Sequence, residues 1–134
     1  MQKYSLWVSG LVALVGSVVV NAIIDTIFFP LTGVPDSMMT FKVAGPVGIF
    51  TVIGVLGAVV VYAVIRRFSK NPNKLFTWVA AVVLLISFIP DLLVHHLGPM
   101  FAAITTGGIV LLMTLHVVCA VVTVVSLTKL TKAV

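Results

Sequence analysis

Four uninterrupted apolar runs, each about as long as a bilayer-spanning helix, decide what this chain can fold into. A helix needs roughly 20 apolar residues to cross about 30 Å of hydrocarbon. The runs extend from about Ser5 to Phe28, Ala44 to Ile65, Leu75 to Leu97 and Met100 to Leu127. They use nearly all of the 134 residues. Backbone groups in lipid find no water to bond, so a continuous apolar run becomes a helix. The runs do not alternate, which excludes a membrane β-barrel. The expected fold is therefore all-α, a polytopic membrane protein with four transmembrane helices in an up-down antiparallel bundle. It forms a single domain over residues 1–134. Composition agrees, with 61% hydrophobic and 8% charged residues, against roughly 45–50% and about 25% in soluble domains.

The first run is too long for the apolar stretch of a signal peptide, and no A-x-A site follows it, so it reads as a span. Asn71-Pro72-Asn73 marks a tight connection between the second and third spans. The longest connection, Pro30 to Val43, holds Gly33, Pro35 and the pair Met38-Met39, and is expected to lie along the membrane interface.

Charge sets the orientation. Lys3, Arg66, Arg67, Lys70, Lys74, Lys129 and Lys132 fall on one side, which is seven of the eight basic residues, and Lys42 falls on the other. The positive-inside rule then places both termini in the cytoplasm. The net charge of +5 reflects this topology and does not point to nucleic acid. The lone Cys119 excludes an internal disulfide and a cysteine-based zinc site. With no glutamate present, glutamate-bridged di-iron chemistry is excluded too.

Ionisable groups inside a span are costly and need an explanation. Ser9, Ala13, Ser17, Asn21 and Asp25 form an i,i+4 ladder of small or polar residues on the first span. Such a ladder faces protein, because small side chains let backbones approach. On the third span Ala80, Leu84, Ser87, Asp91 and His95 share a face, and Asp91 with His95 is an i,i+4 pair. Pro90 frees the carbonyl of Ile86 and favours a kink there. His96 points elsewhere. On the fourth span Thr105, Gly108, Leu112, His116 and Thr123 share a face. Counted from the outer surface, His116 lies about nine residues deeper than Asp91, roughly 13 Å. Two sites are therefore expected. Asn21, Asp25, Asp91 and His95 line an outward-open cavity if the first and third spans face each other. Ser17, Ser87 and His116 form a mid-membrane polar site. The second span, with Thr51, Gly54, Gly57, Ala58 and Tyr62, reads as a packing helix. Asp91, His95 and His96 are weak metal candidates, since a metal needs three or four ligands and no H-x-x-x-H or H-E-x-x-H spacing is present.

The chain resembles a family of small bacterial four-helix membrane proteins of unknown function. The resemblance rests on Gly33-Val34-Pro35, the glycine-bearing segment Phe50 to Ala58, the short basic connection, Leu85 to Pro90 and Leu115-His116-Val117-Val118. It covers almost the whole chain and implies the four-helix fold and a bacterial inner membrane, not an activity. Three functional readings follow. The first is a non-enzymatic accessory, assembly or binding subunit that contacts lipid and associates with itself or with a membrane partner. The second is a small proton- or cation-coupled transporter or channel using Asp25 and Asp91. The third is a membrane metal or haem redox protein. The sequence requires no cofactor and calls for no nucleic-acid partner.

Overall fold

The computed structural model describes residues 4–36 and 46–132. Expectations for Lys3, Met38, Met39 and Lys42 lie outside the described residues. Four helices follow in order: α1 (Leu6–Phe28), α2 (Pro46–Phe68), α3 (Pro72–Leu92) and α4 (Thr106–Val125). Each is long and apolar enough to cross a membrane. Short 3-10 turns cover Phe29–Leu31, Val94–His96 and Pro99–Phe101, and a π turn over Ser126–Leu130 extends α4. Among the described residues no strand forms; Tyr4 and Thr131 make one isolated bridge.

Local chemistry sets the ends. Ser5 caps α1 by accepting from the amide of Val8, and Thr105 caps α4 by accepting from Gly108. Pro72 opens α3 at a position where its missing N–H costs nothing. Arg66 and Arg67 occupy the last turn of α2, where positive charge complements the helix dipole. Two boundaries differ from the sequence expectation. The third helix ends at Leu92 instead of running on to Leu97, and the fourth starts at Thr106 instead of Met100. Gly98 has φ 137° and Pro99 follows it, so the chain breaks into short turns until Thr105 supplies the next cap.

α1 packs between α2 and α4, and α3 lies at the opposite corner, also between α2 and α4. The interior is more polar than the exterior. On α1 the buried residues are Ser9, Gly10, Ala13, Ser17, Asn21 and Asp25, whereas Trp7, Leu11, Val15, Val19, Ile23 and Ile27 are exposed. That inversion suits a bundle whose solvent is lipid, where small interfacial residues permit close packing. The α1–α4 seam is antiparallel between the helices, and a short parallel bridge from Tyr4 to Thr131 fastens its basic end. Leu130 and Lys132 bond to Tyr4, Ser17 meets Thr123, and Gly107 abuts Thr32.

Apolar clusters close both ends of this interior. At the end carrying Arg66, Arg67, Lys70 and Lys74, here termed the basic end, Val59, Tyr62, Phe76 and Leu127 pack together. The Tyr62 hydroxyl donates to Asn73 Oδ1 at 2.6 Å, and Asn73 Nδ2 donates to the Thr128 carbonyl at 3.1 Å. Arg66 donates to the Lys132 carbonyl at 2.6 Å. At the other, distal end, Val34, Val47, Val94, Ile104, Leu111 and Leu115 form the second cluster.

Glycines divide into two kinds. A Cβ on Gly107 would stand 3.1 Å from backbone atoms of Thr32, which have little room to yield. Gly107→Val is expected to destabilise the protein by about 1–3 kcal/mol, measured as thermal unfolding in nanodiscs. Gly54 and Gly57, expected as packing positions, meet nothing within 4 Å. Their alanine variants are the neutral controls for that measurement.

Candidate functional site

The ionisable residue buried on α3, Asp91, sits in the last turn of its helix. The helix dipole disfavours an anion there, so the carboxylate needs a donor. His116 of α4 supplies it, with Nδ1 at 2.8 Å from Asp91 Oδ2. The Asp91 side chain is 10% exposed and the imidazole 39%. With Asp91 ionised, Nδ1 is the donor and Nε2 keeps its lone pair for a second partner. The carboxylate thereby fixes both the tautomer and the orientation of the ring.

This pairing corrects the separation of Asp91 and His116 into two sites. The expected gap of about 13 Å is counted between backbone positions, on helix ends that the structure moves. Side chains lean toward the N-terminus of their own helix. α3 and α4 run antiparallel, so Asp91 leans toward the basic end and His116 toward the distal end. The two side chains close on each other from different backbone levels.

His95 does not pair with Asp91 as expected. The i,i+4 relation requires a helix, but α3 stops at Leu92 and His95 lies in the following 3-10 turn, exposed. His96 is exposed beside it. Ser87 is not a partner of His116 either. Its hydroxyl donates to the Leu84 carbonyl of its own helix at 2.7 Å. Ser17 meets Thr123 at 3.4 Å, and the Cys119 thiol lies against both hydroxyls. The sequence reading placed Thr123 and Thr51 on their helix faces but did not identify them as the partners of Ser17 and Asn21.

The α1 row is buried as expected. Asn21 is 3% and Asp25 7% exposed. Asn21 Nδ2 donates to Thr51 Oγ1 at 3.4 Å, and the Thr51 hydroxyl donates to the Val47 carbonyl at 2.8 Å. Among the described residues Asn21 Oδ1 and Asp25 Oδ1 are buried without a hydrogen-bond partner. The seam register places Asp25 level with Leu115 on α4, one residue from His116. Asp25 and Asp91 occupy opposite corners of the bundle, on α1 and α3. Among the described residues α2 and α4 meet across the bundle and the distal cluster packs at that end, so α1 and α3 do not face each other as the single-cavity expectation required. Among the described residues no three histidine, cysteine or acidic side chains gather closely enough to hold a metal, so Asp91, His95 and His96 are not brought together.

A family model described as a family of unknown function (DUF6069) matches residues 1–133. Comparison with curated proteins and with solved structures finds no match to either.

Proposed function

The chain belongs to DUF6069, a family of unknown function, and we propose that it moves protons in the membrane as a small proton-coupled transporter or channel. One observation carries this reading: the 2.8 Å contact between Asp91 and His116 across two spanning helices. Histidine is the side chain whose ordinary titration lies nearest neutrality. Ionisable groups within spanning segments are costly and are by default candidates for ion or proton pathways. In the proposed cycle Nε2 takes up a proton and Nδ1 keeps its bond to the carboxylate. The pair then changes between a net charge of −1 and zero without either group losing its partner. The buried row of Asp25, Asn21 and Ser17 extends the polar interior from this level toward the basic end. The basic cluster supports an orientation with both termini cytoplasmic and the pair in the outer half of an inner membrane.

The test is proton uptake by proteoliposomes carrying an internal pH dye under an imposed gradient. The wild-type chain is expected to carry flux, and Asp91→Asn or His116→Gln to lower it by at least tenfold. Equal flux in all three, or none above empty liposomes, rejects the reading.

A second reading, an assembly subunit or homo-oligomer, is favoured by α3. Phe76 and Asp91 are its buried residues, and Trp78, Val82, Leu85, Ile86 and Ile89 are exposed. Native mass spectrometry from nanodiscs distinguishes the two. A defined oligomer or a stoichiometric co-purifying protein, with no flux, supports assembly.

A further inference from the structure

We propose that Asn21, Asp25 and Thr51 form a binding site for one small monovalent cation of sodium size, in the seam between α1 and α2. The argument is a shortage of donors. Thr51 spends its only hydrogen on the Val47 carbonyl. The Asn21 amide nitrogen is turned to Thr51 Oγ1. Among the described residues that leaves Asn21 Oδ1 and Asp25 Oδ1 buried with no donor, on residues 97% and 93% removed from solvent. Buried acceptors in native proteins are almost always satisfied, and a buried charge without a partner costs more than any other polar group.

The geometry suits an ion. Asn21 and Asp25 are one turn apart on the same face of α1, with Cβ atoms about 6 Å apart. Oxygens carried on those two side chains can straddle a single cation. Thr51 Oγ1 retains a lone pair on the same seam. Carboxylate, amide and hydroxyl oxygens are the ligands of hard cations. Charge selects the valence. Asp25 is the acidic residue of this group, and among the described residues no basic side chain forms an ion pair with it. One monovalent cation neutralises one carboxylate, whereas a divalent ion would leave a net positive charge in a low-dielectric seam. This site is separate from the Asp91–His116 pair and stands or falls without it.

The experiment is thermal unfolding of the full chain in nanodiscs, titrated with sodium chloride against choline chloride at constant ionic strength and pH. Sodium is expected to raise Tm by a few degrees, saturably, because a ligand that binds only the folded state stabilises it. The shift persists in Asp91→Asn, disappears in Asp25→Asn, and needs about tenfold more sodium in Thr51→Val. Sodium-23 line broadening by the wild-type protein gives a second readout should Asp25→Asn fail to fold. Identical melting in sodium and choline without line broadening overturns the proposal. So does a sodium shift that survives Asp25→Asn. A Tm that follows pH alone, with no response to sodium, assigns the orphaned oxygens to a proton and overturns it as well.

Discussion

His116→Leu is expected to lower the unfolding free energy by about 2–3 kcal/mol, and Asp91→Leu combined with His116→Leu to cost less than that single change. Removing the ring leaves a carboxylate that is 10% exposed at the unfavourable end of a helix dipole. A charged group stripped of its hydrogen bond loses roughly 1.5–3 kcal/mol, and breaking a fully buried pair costs about 3–5 kcal/mol. The 39% exposure of the imidazole places this pair at the lower end. Replacing both partners by leucine removes the charge and its need together. The double-mutant cycle, run as reversible unfolding in nanodiscs, is expected to show a coupling of about 2 kcal/mol. Strictly additive costs would mean that the contact carries no energy. All three variants are expected to lack proton flux, including the stable double variant, which separates the loss of activity from the loss of fold.

The second large effect lies at the basic end. Tyr62→Ala is expected to cost about 3–5 kcal/mol. The ring is 2% exposed, packs tilted against Phe76 at 4.9 Å and 57°, and belongs to the cluster with Val59 and Leu127. The Arg66 guanidinium lies over the Tyr62 ring, 5.7 Å from its centre. Tyr62→Phe keeps the packing and loses only the hydroxyl bond to Asn73, so about 1 kcal/mol is expected. Unfolding of the two variants side by side separates packing from hydrogen bonding. A similar cost for both would place the energy in the Tyr62–Asn73–Thr128 chain instead of the core.

The sequence reveals most where the periodicity is strict. The i,i+4 ladder of Ser9, Ala13, Ser17, Asn21 and Asp25 places all five residues inside, because a four-residue step follows one helix face. The tight Asn71-Pro72 connection is equally clear, since proline fixes the first turn of α3. The site is less legible for two physical reasons. The apolar stretch from Leu93 to Thr105 has the composition of a helix, yet Gly98 and Pro99 divert it into turns, and that moves both neighbouring helix ends. Counting depth by residue also treats side chains as points on the axis. Asp91 and His116 meet because their side chains lean oppositely in antiparallel helices. His95 is misplaced by the first reason, and the split between Asp91 and His116 results from both.

The two apolar closures differ in construction. At the basic end, Val59, Tyr62, Phe76 and Leu127 all come from α2, α3 and the extension of α4. Backbone bonds from Tyr4 to Leu130 and from Lys132 to Tyr4 fasten the chain termini over them. At the distal end, Val47, Leu111 and Leu115 come from α2 and α4, whereas Val34, Val94 and Ile104 come from connections and a 3-10 turn, with Phe101 packed alongside. Local opening free energy scales with the contacts and backbone bonds that must break together. Lifting a short turn breaks few, whereas parting the basic end disrupts three helices and both termini. Among the described residues the basic-end closure is therefore expected to show the stronger protection against amide hydrogen exchange.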